Sequence, residues 1–381
     1  MNGIYLDHAA TTPVHPEVAR VYAELLTSSY GNASSIHGTG RAARKLLDDS
    51  RAQIARLIGA RPEEIIFTGG GTESDNLAIF GTAEARSDEG RHIITTGIEH
   101  HAVLNACKRL GKRGFEVTWL PVNREGQISP DAVREALRED TILVTIMTAN
   151  NEVGTIQPIR EIGEILQGHP ASFHTDAVQA FGEIPIEVGD LGIDLLSASA
   201  HKINGPKGIG FLYQKNGTKL TPPTSGGEQE RKRRAGTENV PGIAAFAKAA
   251  EIAYESLAER HEQHESFKRI MTDALDEAGV EFRVNAGQAQ TLPHILNLSF
   301  PGTDIESLLV NLDLAGVHVS SGSACTAGSI DPSHVLVAMY GEDAEELRNS
   351  VRFSFGYGLS EQDVRTAAEK TAATVRRLSG K

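Results

Sequence analysis

At 381 residues the chain is longer than one simple core usually supports, so two domains are expected. Its 37 basic and 50 acidic residues leave a formal net charge of −13, and 40% of its residues are hydrophobic. This is the composition of an ordinary globular protein, and its sign argues against nucleic acid or an anionic membrane as the main partner. Cys107 and Cys325 are too few for a disulfide framework, and no CxxC spacing suggests zinc. The N-terminal MNGIYLDHAATTP has neither the basic nor the apolar region of a secretory signal. No apolar run approaches the roughly 20 residues that span a bilayer. A reducing, cytoplasmic location is the expectation.

Between residues 16 and 258 strand-like and helix-like stretches alternate. Glu64-Ile65-Ile66-Phe67 runs into Gly69-Gly70-Gly71 and then the helical TESDNLAIFGTAEAR; HIIT precedes the helical HAVLNACKRLGKRG. VTWL comes before SPDAVREALRED, and ILVTIM before PIREIGEILQG. That rhythm predicts an α/β fold with a mostly parallel sheet covered by helices on both faces. Few breakers interrupt the stretch from Val240 to Ala278, which reads as one long helix bridging to a second domain. Strand candidates follow near His294–Phe300 and Val317–Ser320, and an Ala- and Arg-rich helix closes the chain.

Five segments carry chemistry. Gly69-Gly70-Gly71-Thr72-Glu73, between a buried strand and a helix, lets backbone N–H groups approach an anion at the helix N-terminus, although a plain tight turn would look the same. It has neither Walker nor dinucleotide spacing. Lys202 follows an apolar strand and precedes a Gly/Pro turn; it is either an exposed turn lysine or one whose pKa burial lowers toward Schiff-base chemistry. Ser199 and His201 beside it offer donors to a phosphate. Asp176 ends the strand-like FHTD, where open α/β sheets place site residues, and could pair with a pyridinium nitrogen that Gln179 also reaches; it could equally cap a helix. His100, in Glu99-His100-His101, lacks a third ligand at helical spacing, so no metal is expected, and stacking on a ring with acid–base duty is the functional reading. Cys325 lies in SSGSACTAGS, a stretch of small residues that has little to pack and reads as a mobile loop carrying a nucleophile, whereas Cys107 in HAVLNACKRL reads as a core thiol. The basic run Arg231-Lys232-Arg233-Arg234 reads as a solvated loop.

Together these segments resemble the cysteine desulfurases, the NifS/IscS-like branch of the class-V aminotransferase superfamily. The resemblance runs from YLDHAATTP through GNASSIHGTGR, GGGTESDNLAI, EHHAVL, NNEVGTIQPI, HTDAVQA, SAHKINGPKG, GGEQERKRRAGTEN and SSGSACTAGS to VRFSFG. It implies a fold-type I enzyme of pyridoxal 5'-phosphate: a large domain over 16–258 with a seven-stranded sheet, and a smaller α+β domain from 1–15 and 259–381 carrying the cysteine loop. It implies Lys202 as the Schiff-base lysine, His100 stacked on the ring, Asp176 at its nitrogen and Gln179 at its phenolic oxygen. Gly71, Thr72, Ser199 and His201 are implied as phosphate ligands, with Thr237 reaching the phosphate of the other subunit of a homodimer. Asn151 and Arg352 match positions that hold the substrate.

The implied reaction removes sulfur from L-cysteine, leaving L-alanine and a persulfide on Cys325. That sulfur would pass to acceptor proteins for iron–sulfur cluster assembly, tRNA thiolation or both; no direct nucleic-acid contact is implied. An aminotransferase or selenocysteine lyase of the same fold would not need Cys325, and a sulfur-trafficking scaffold without catalysis would need no cofactor. Glu228 departs from the pattern, standing where many relatives have a third glycine.

Overall fold

The computed structural model describes residues 3–321 and 332–380. The chain opens with a short strand, β1 (Ile4–Tyr5), and two helices, α1 (Pro16–Ser28) and α2 (Gly38–Leu57). It then builds a sheet from β2 (Ile65–Thr68), β3 (His92–Thr96), β4 (Glu116–Leu120), β5 (Thr141–Thr145), β6 (Ser172–Asp176), β7 (Leu195–Ser199) and β8 (Gly210–Gln214). Their order is β2-β8-β7-β6-β5-β3-β4; β8 runs antiparallel to both its neighbours and the other pairs are parallel. The expected mostly parallel, seven-stranded sheet is present.

Helices α3 (Gly71–Arg86), α4 (His101–Gly111), α5 (Pro130–Ala136) and α6 (Ile159–Leu166) connect these strands. The strands are apolar on both faces because both faces are covered. Ile65, Phe67, Ile94, Val144, Leu196 and Phe211 pack with α2 and with α8 (Val240–Glu255), while their neighbours Ile66, Ile93, Leu143, Leu195 and Leu212 pack toward α3 and α4. The two-residue period of a strand divides one run of apolar residues between two cores. Cys107 is fully buried in the α4 core, and burial lifts its thiol to about 12.

A separate apolar core lies toward the C-terminus. It gathers Leu6 with residues of α9 (Leu257–Glu277), β10 (Ile295–Ser299), α10 (Ile305–Leu314), β12 (Ser350–Ser354) and α12 (Glu361–Ser379). Strands β12, β10 and β9 (Arg283–Val284) form an antiparallel sheet, and β11 (Val317–His318) pairs in parallel with β1. The short helix α11 (His334–Tyr340) packs beside this region. No helix among the described residues is long and apolar enough to cross a membrane.

Two expectations need correction. The stretch from Val240 to Ala278 is two helices, α8 and α9, meeting at Ser256. The Ser256 hydroxyl donates to the Ile252 carbonyl at 2.7 Å, and its backbone leaves helical geometry there (ψ 9°). The basic run is also only partly a solvated loop. Arg231 and Lys232 are exposed, but Arg233 donates to the Glu63 carbonyl at 2.7 Å and Arg234 pairs with Glu73 at 2.7 Å.

The turn before it, α7 (Gln229–Lys232), puts Glu230, Arg231 and Lys232 at φ of 47°, 57° and 67°. Three successive non-glycine residues in the left-handed region need an anchor. Glu230 supplies it: its carboxylate accepts two bonds of 2.7 Å from buried Arg51 and one of 3.0 Å from the Phe67 N–H. Replacing Glu230 with Ala strands the Arg51 charge and is expected to cost about 3–5 kcal/mol, read as a lowered denaturant midpoint. A shift below about 1 kcal/mol would show that the pair is not what holds this turn.

Candidate active site

The carboxyl ends of β3, β6 and β7 and the amino end of α3 meet around a cleft of about 950 Å³. An open α/β sheet presents backbone dipoles and strand-terminal side chains at that edge. Gly70, with φ 141°, turns the chain from β2 into α3. A Cβ on Gly71 would lie 2.6 Å from the Val178 Cγ2, so any side chain there would force Val178 to move. The first turn of α3 thus opens its backbone N–H groups into the cleft.

Lys202 stands just beyond β7, and its Nζ donates to the carbonyls of Ala9 at 2.5 Å and Ala10 at 2.8 Å. Burial, then the positive Arg352, lowers its pKa to about 8 against the opposite pull of Asp176 and Asp7. Asp176 closes β6, is 5% exposed and accepts the Val178 N–H at 2.9 Å. Burial raises its pKa, while His100, the Val178 N–H and Lys202 hold it down. The Gln179 amide donates to the Ala9 carbonyl at 2.9 Å, beside the Lys202 amine.

His100 caps α4: its Nδ1 accepts the Ala102 N–H at 3.2 Å, which leaves the proton of a neutral ring on Nε2. The ring keeps an open edge, yet the surrounding protein lowers its pKa, partly offset by Asp176. His201 approaches the Thr11 hydroxyl at 3.2 Å, and burial, with Lys202 and Lys207, lowers its pKa to about 4. Arg352, 4% exposed, pairs with Asp7 at 2.8 Å and donates to the Asn151 carbonyl at 2.8 Å.

The cleft therefore brings together Gly71, Thr72, His100, Asn151, Asp176, Gln179, Ser199, His201, Lys202 and Arg352, all expected from the sequence. Thr237 is not among its lining residues; it is exposed on the segment that follows the basic run. Cys325 lies outside the described residues.

The chain matches the family described as Aminotransferase class-V over residues 4–366. It is similar to a Bacillus subtilis (strain 168) protein named "Putative cysteine desulfurase IscS 1", 59% identical across 100% of both chains. A solved structure titled "NIFS-LIKE PROTEIN" superposes with a TM-score of 0.91 at 36% identity, over 97% of this chain and 98% of that one. A second, "SspA in complex with cysteine", gives 0.81 at 39% identity, covering 92% of this chain and 98% of that one. The chain belongs to the class-V aminotransferase family, among its cysteine desulfurases. Members of this family use pyridoxal 5'-phosphate.

Other members of the desulfurase cleft did not stand out in the sequence. The carbonyls of Ala9 and Ala10 carry no side-chain signal. Glu73 links the Gly69 N–H, at 2.6 Å, to Arg234, although the two are far apart in sequence. Asp75 is 1% exposed and lines the cleft; the only hint was that it falls on the face of α3 that also buries Ser74 and Ala78.

A lysine lowered to about 8 has a free amine well below the ordinary range near 10.5. In the cofactor-free protein, reductive labelling of Lys202 by a small aldehyde should rise as pH climbs through about 8. Peptide mass spectrometry across a pH series reads this out. A midpoint at the ordinary lysine value would show that the cleft does not depress it.

Proposed function

We propose that this chain is a pyridoxal-phosphate-dependent cysteine desulfurase that passes sulfur from L-cysteine to Cys325 and then to acceptor proteins. The observation that carries the reading is the convergence, in one cleft, of a lysine lowered to about 8, a buried carboxylate at Asp176 and a cation at Arg352.

The residues present fit the cofactor. An amine that is half free near pH 8 suits an aldehyde. Asp176 offers a carboxylate for a ring nitrogen, and the Gly70–Gly71 turn at the start of α3, with Ser199 and His201, offers donors for a phosphate. The bound group supplies an electron sink for the carbanion formed at the substrate's Cα. Arg352 and Asn151 would orient the α-carboxylate, and the Lys202 Nζ would take the Cα proton. His100, neutral at pH 7 because its pKa is lowered and carrying its proton on Nε2, would relay protons within the cleft. Cys325, as thiolate, attacks the substrate sulfur. The S–S bond forms as C–S breaks, the bonding pair goes to the substrate's Cβ, which takes a proton, and return of the Lys202 proton to Cα leaves alanine and a Cys325 persulfide.

The rest of the reading extends from the same family. A homodimer in which Thr237 reaches the partner's phosphate is supported by its exposed position away from its own cleft. Acceptors are proteins of iron–sulfur assembly or tRNA thiolation, in the cytoplasm. A division at 16–258 against 1–15 with 259–381 is supported by the separate C-terminal core that includes Leu6.

Two variants test the chemistry. Cys325→Ser should retain the visible absorbance of bound pyridoxal phosphate while alanine release falls by about a hundredfold or more. Lys202→Ala should lose both. A Cys325→Ser protein that turned over cysteine at the parent rate would exclude the persulfide and leave an aminotransferase-type reading.

A further inference from the structure

Asp75 plays no part in the steps above, yet it is among the most buried charged residues of the cleft at 1% exposed. Among the described residues its Oδ1 has no hydrogen-bond partner, although the residue lines the cleft. One oxygen of Asp75, one oxygen of Asp176 and one ring nitrogen of His100 all lie within 4.8 Å of one another. Two carboxylates this close, both shut away from water, do not both ionise; one proton stays on the pair.

The surroundings decide which acid keeps it. Asp176 accepts the Val178 N–H at 2.9 Å and is favoured as an anion by His100 and Lys202. Asp75 meets Asp176 and His174 from β6, Ser197 from β7, and Glu99 from the segment after β3. Of these only the Ser197 hydroxyl favours its anion, and Asp176 and Glu99 oppose it. His174 does not rescue the charge. Its Nε2, 3.7 Å from Asp75, is engaged with Ser197 at 3.0 Å, its Nδ1 with Thr145 at 2.8 Å, and burial pushes its pKa down to about 3.

We propose that Asp75 is a positioning residue: it is the protonated member of a buried acid pair with Asp176, and so keeps the pair's single negative charge on Asp176, facing the cofactor ring. A neutral acid behind Asp176 fills the floor without competing for the ring nitrogen. The inference rests on Asp176 serving that nitrogen.

The test separates the two. Parent, Asp75→Asn, Asp75→Leu and Asp176→Asn are prepared free of cofactor, and each is titrated with pyridoxal phosphate by its visible absorbance. Asp75→Asn, neutral and polar like the proposed acid, should bind within about twofold of parent, whereas Asp75→Leu should bind about tenfold more weakly. The pH midpoint of the bound visible band should be unmoved in Asp75→Asn and displaced in Asp176→Asn. Infrared difference spectra of the cofactor-free protein near pH 8, parent minus Asp75→Asn so that the Glu99 contribution cancels, should show a protonated-carboxyl stretch in parent that Asp75→Asn removes. If Asp75→Asn left that stretch intact, or weakened cofactor binding as much as Asp176→Asn, Asp75 would be ionised and the proposal overturned. Equal binding by Asp75→Leu and parent would overturn its positioning role. If Asp176→Asn bound and titrated like parent, the assignment of Asp176 itself would fail, and this inference with it.

Discussion

Asp176 and Asp75 lie on the floor of the cleft, with Glu99 buried close by, each no more than 5% exposed. Carboxylate oxygens of Asp75 and Asp176 within 4.8 Å would repel by roughly 3–4 kcal/mol at an effective dielectric of about 20, before either acid's loss of water is counted. Glu99 is settled by hydrogen bonds from Thr96 at 2.8 Å and the Met147 N–H at 3.1 Å, and burial still lifts its pKa to about 8. The cations facing this group are equally constrained. Arg352 is spent largely on Asp7, and Lys202 is pushed toward its neutral form. On the proposed reading, a protonated ring nitrogen placed against Asp176 would supply the charge this floor lacks, so a cationic heterocycle would suit it better than a neutral one.

The amine of Lys202 is aimed by backbone rather than by another side chain. Residues 6–15 strap the C-terminal core to the cleft: the Leu6 N–H donates to His318, Thr12 to His201 and His15 to Asn204. In passing, the strap turns the carbonyls of Ala9 and Ala10 onto Nζ. Carbonyls accept from an ammonium without neutralising it, so burial remains free to depress the lysine while its direction is fixed. A carboxylate in the same place would have raised the pKa and removed the nucleophile.

Strand–helix alternation makes the central sheet legible in the sequence, and strand-terminal positions single out Lys202, Asp176 and Gln179, although only the family resemblance separates them from a turn lysine and a helix cap. What was hidden depends on distance along the chain. Arg234 reads as part of a solvated run until Glu73, on another element, takes its charge. Ser256 looks harmless in a helical stretch, and only its backbone, turned to ψ 9°, reveals the break. Asp75 resembles any acidic residue early in a helix. Its significance comes from β6 and β7, whose approach no local pattern announces. Cys325 stands out in the sequence by its small neighbours, and it lies outside the described residues.

Arg352 shows how these long-range ties converge on function. One Nη donates to Asp7 in the strap and the other to the Asn151 carbonyl, while its own backbone pairs with Ser320, just ahead of the cysteine segment. A cation so tethered loses little further freedom on meeting an α-carboxylate, which leaves more of the charge-assisted bond as affinity. Asp7 already balances much of its charge, so the guanidinium attracts a carboxylate at short range and exerts only a weak field beyond it. The proposed preference for a small free amino acid then follows from position, with its carboxylate at Arg352 and its amine toward Lys202 in one cleft.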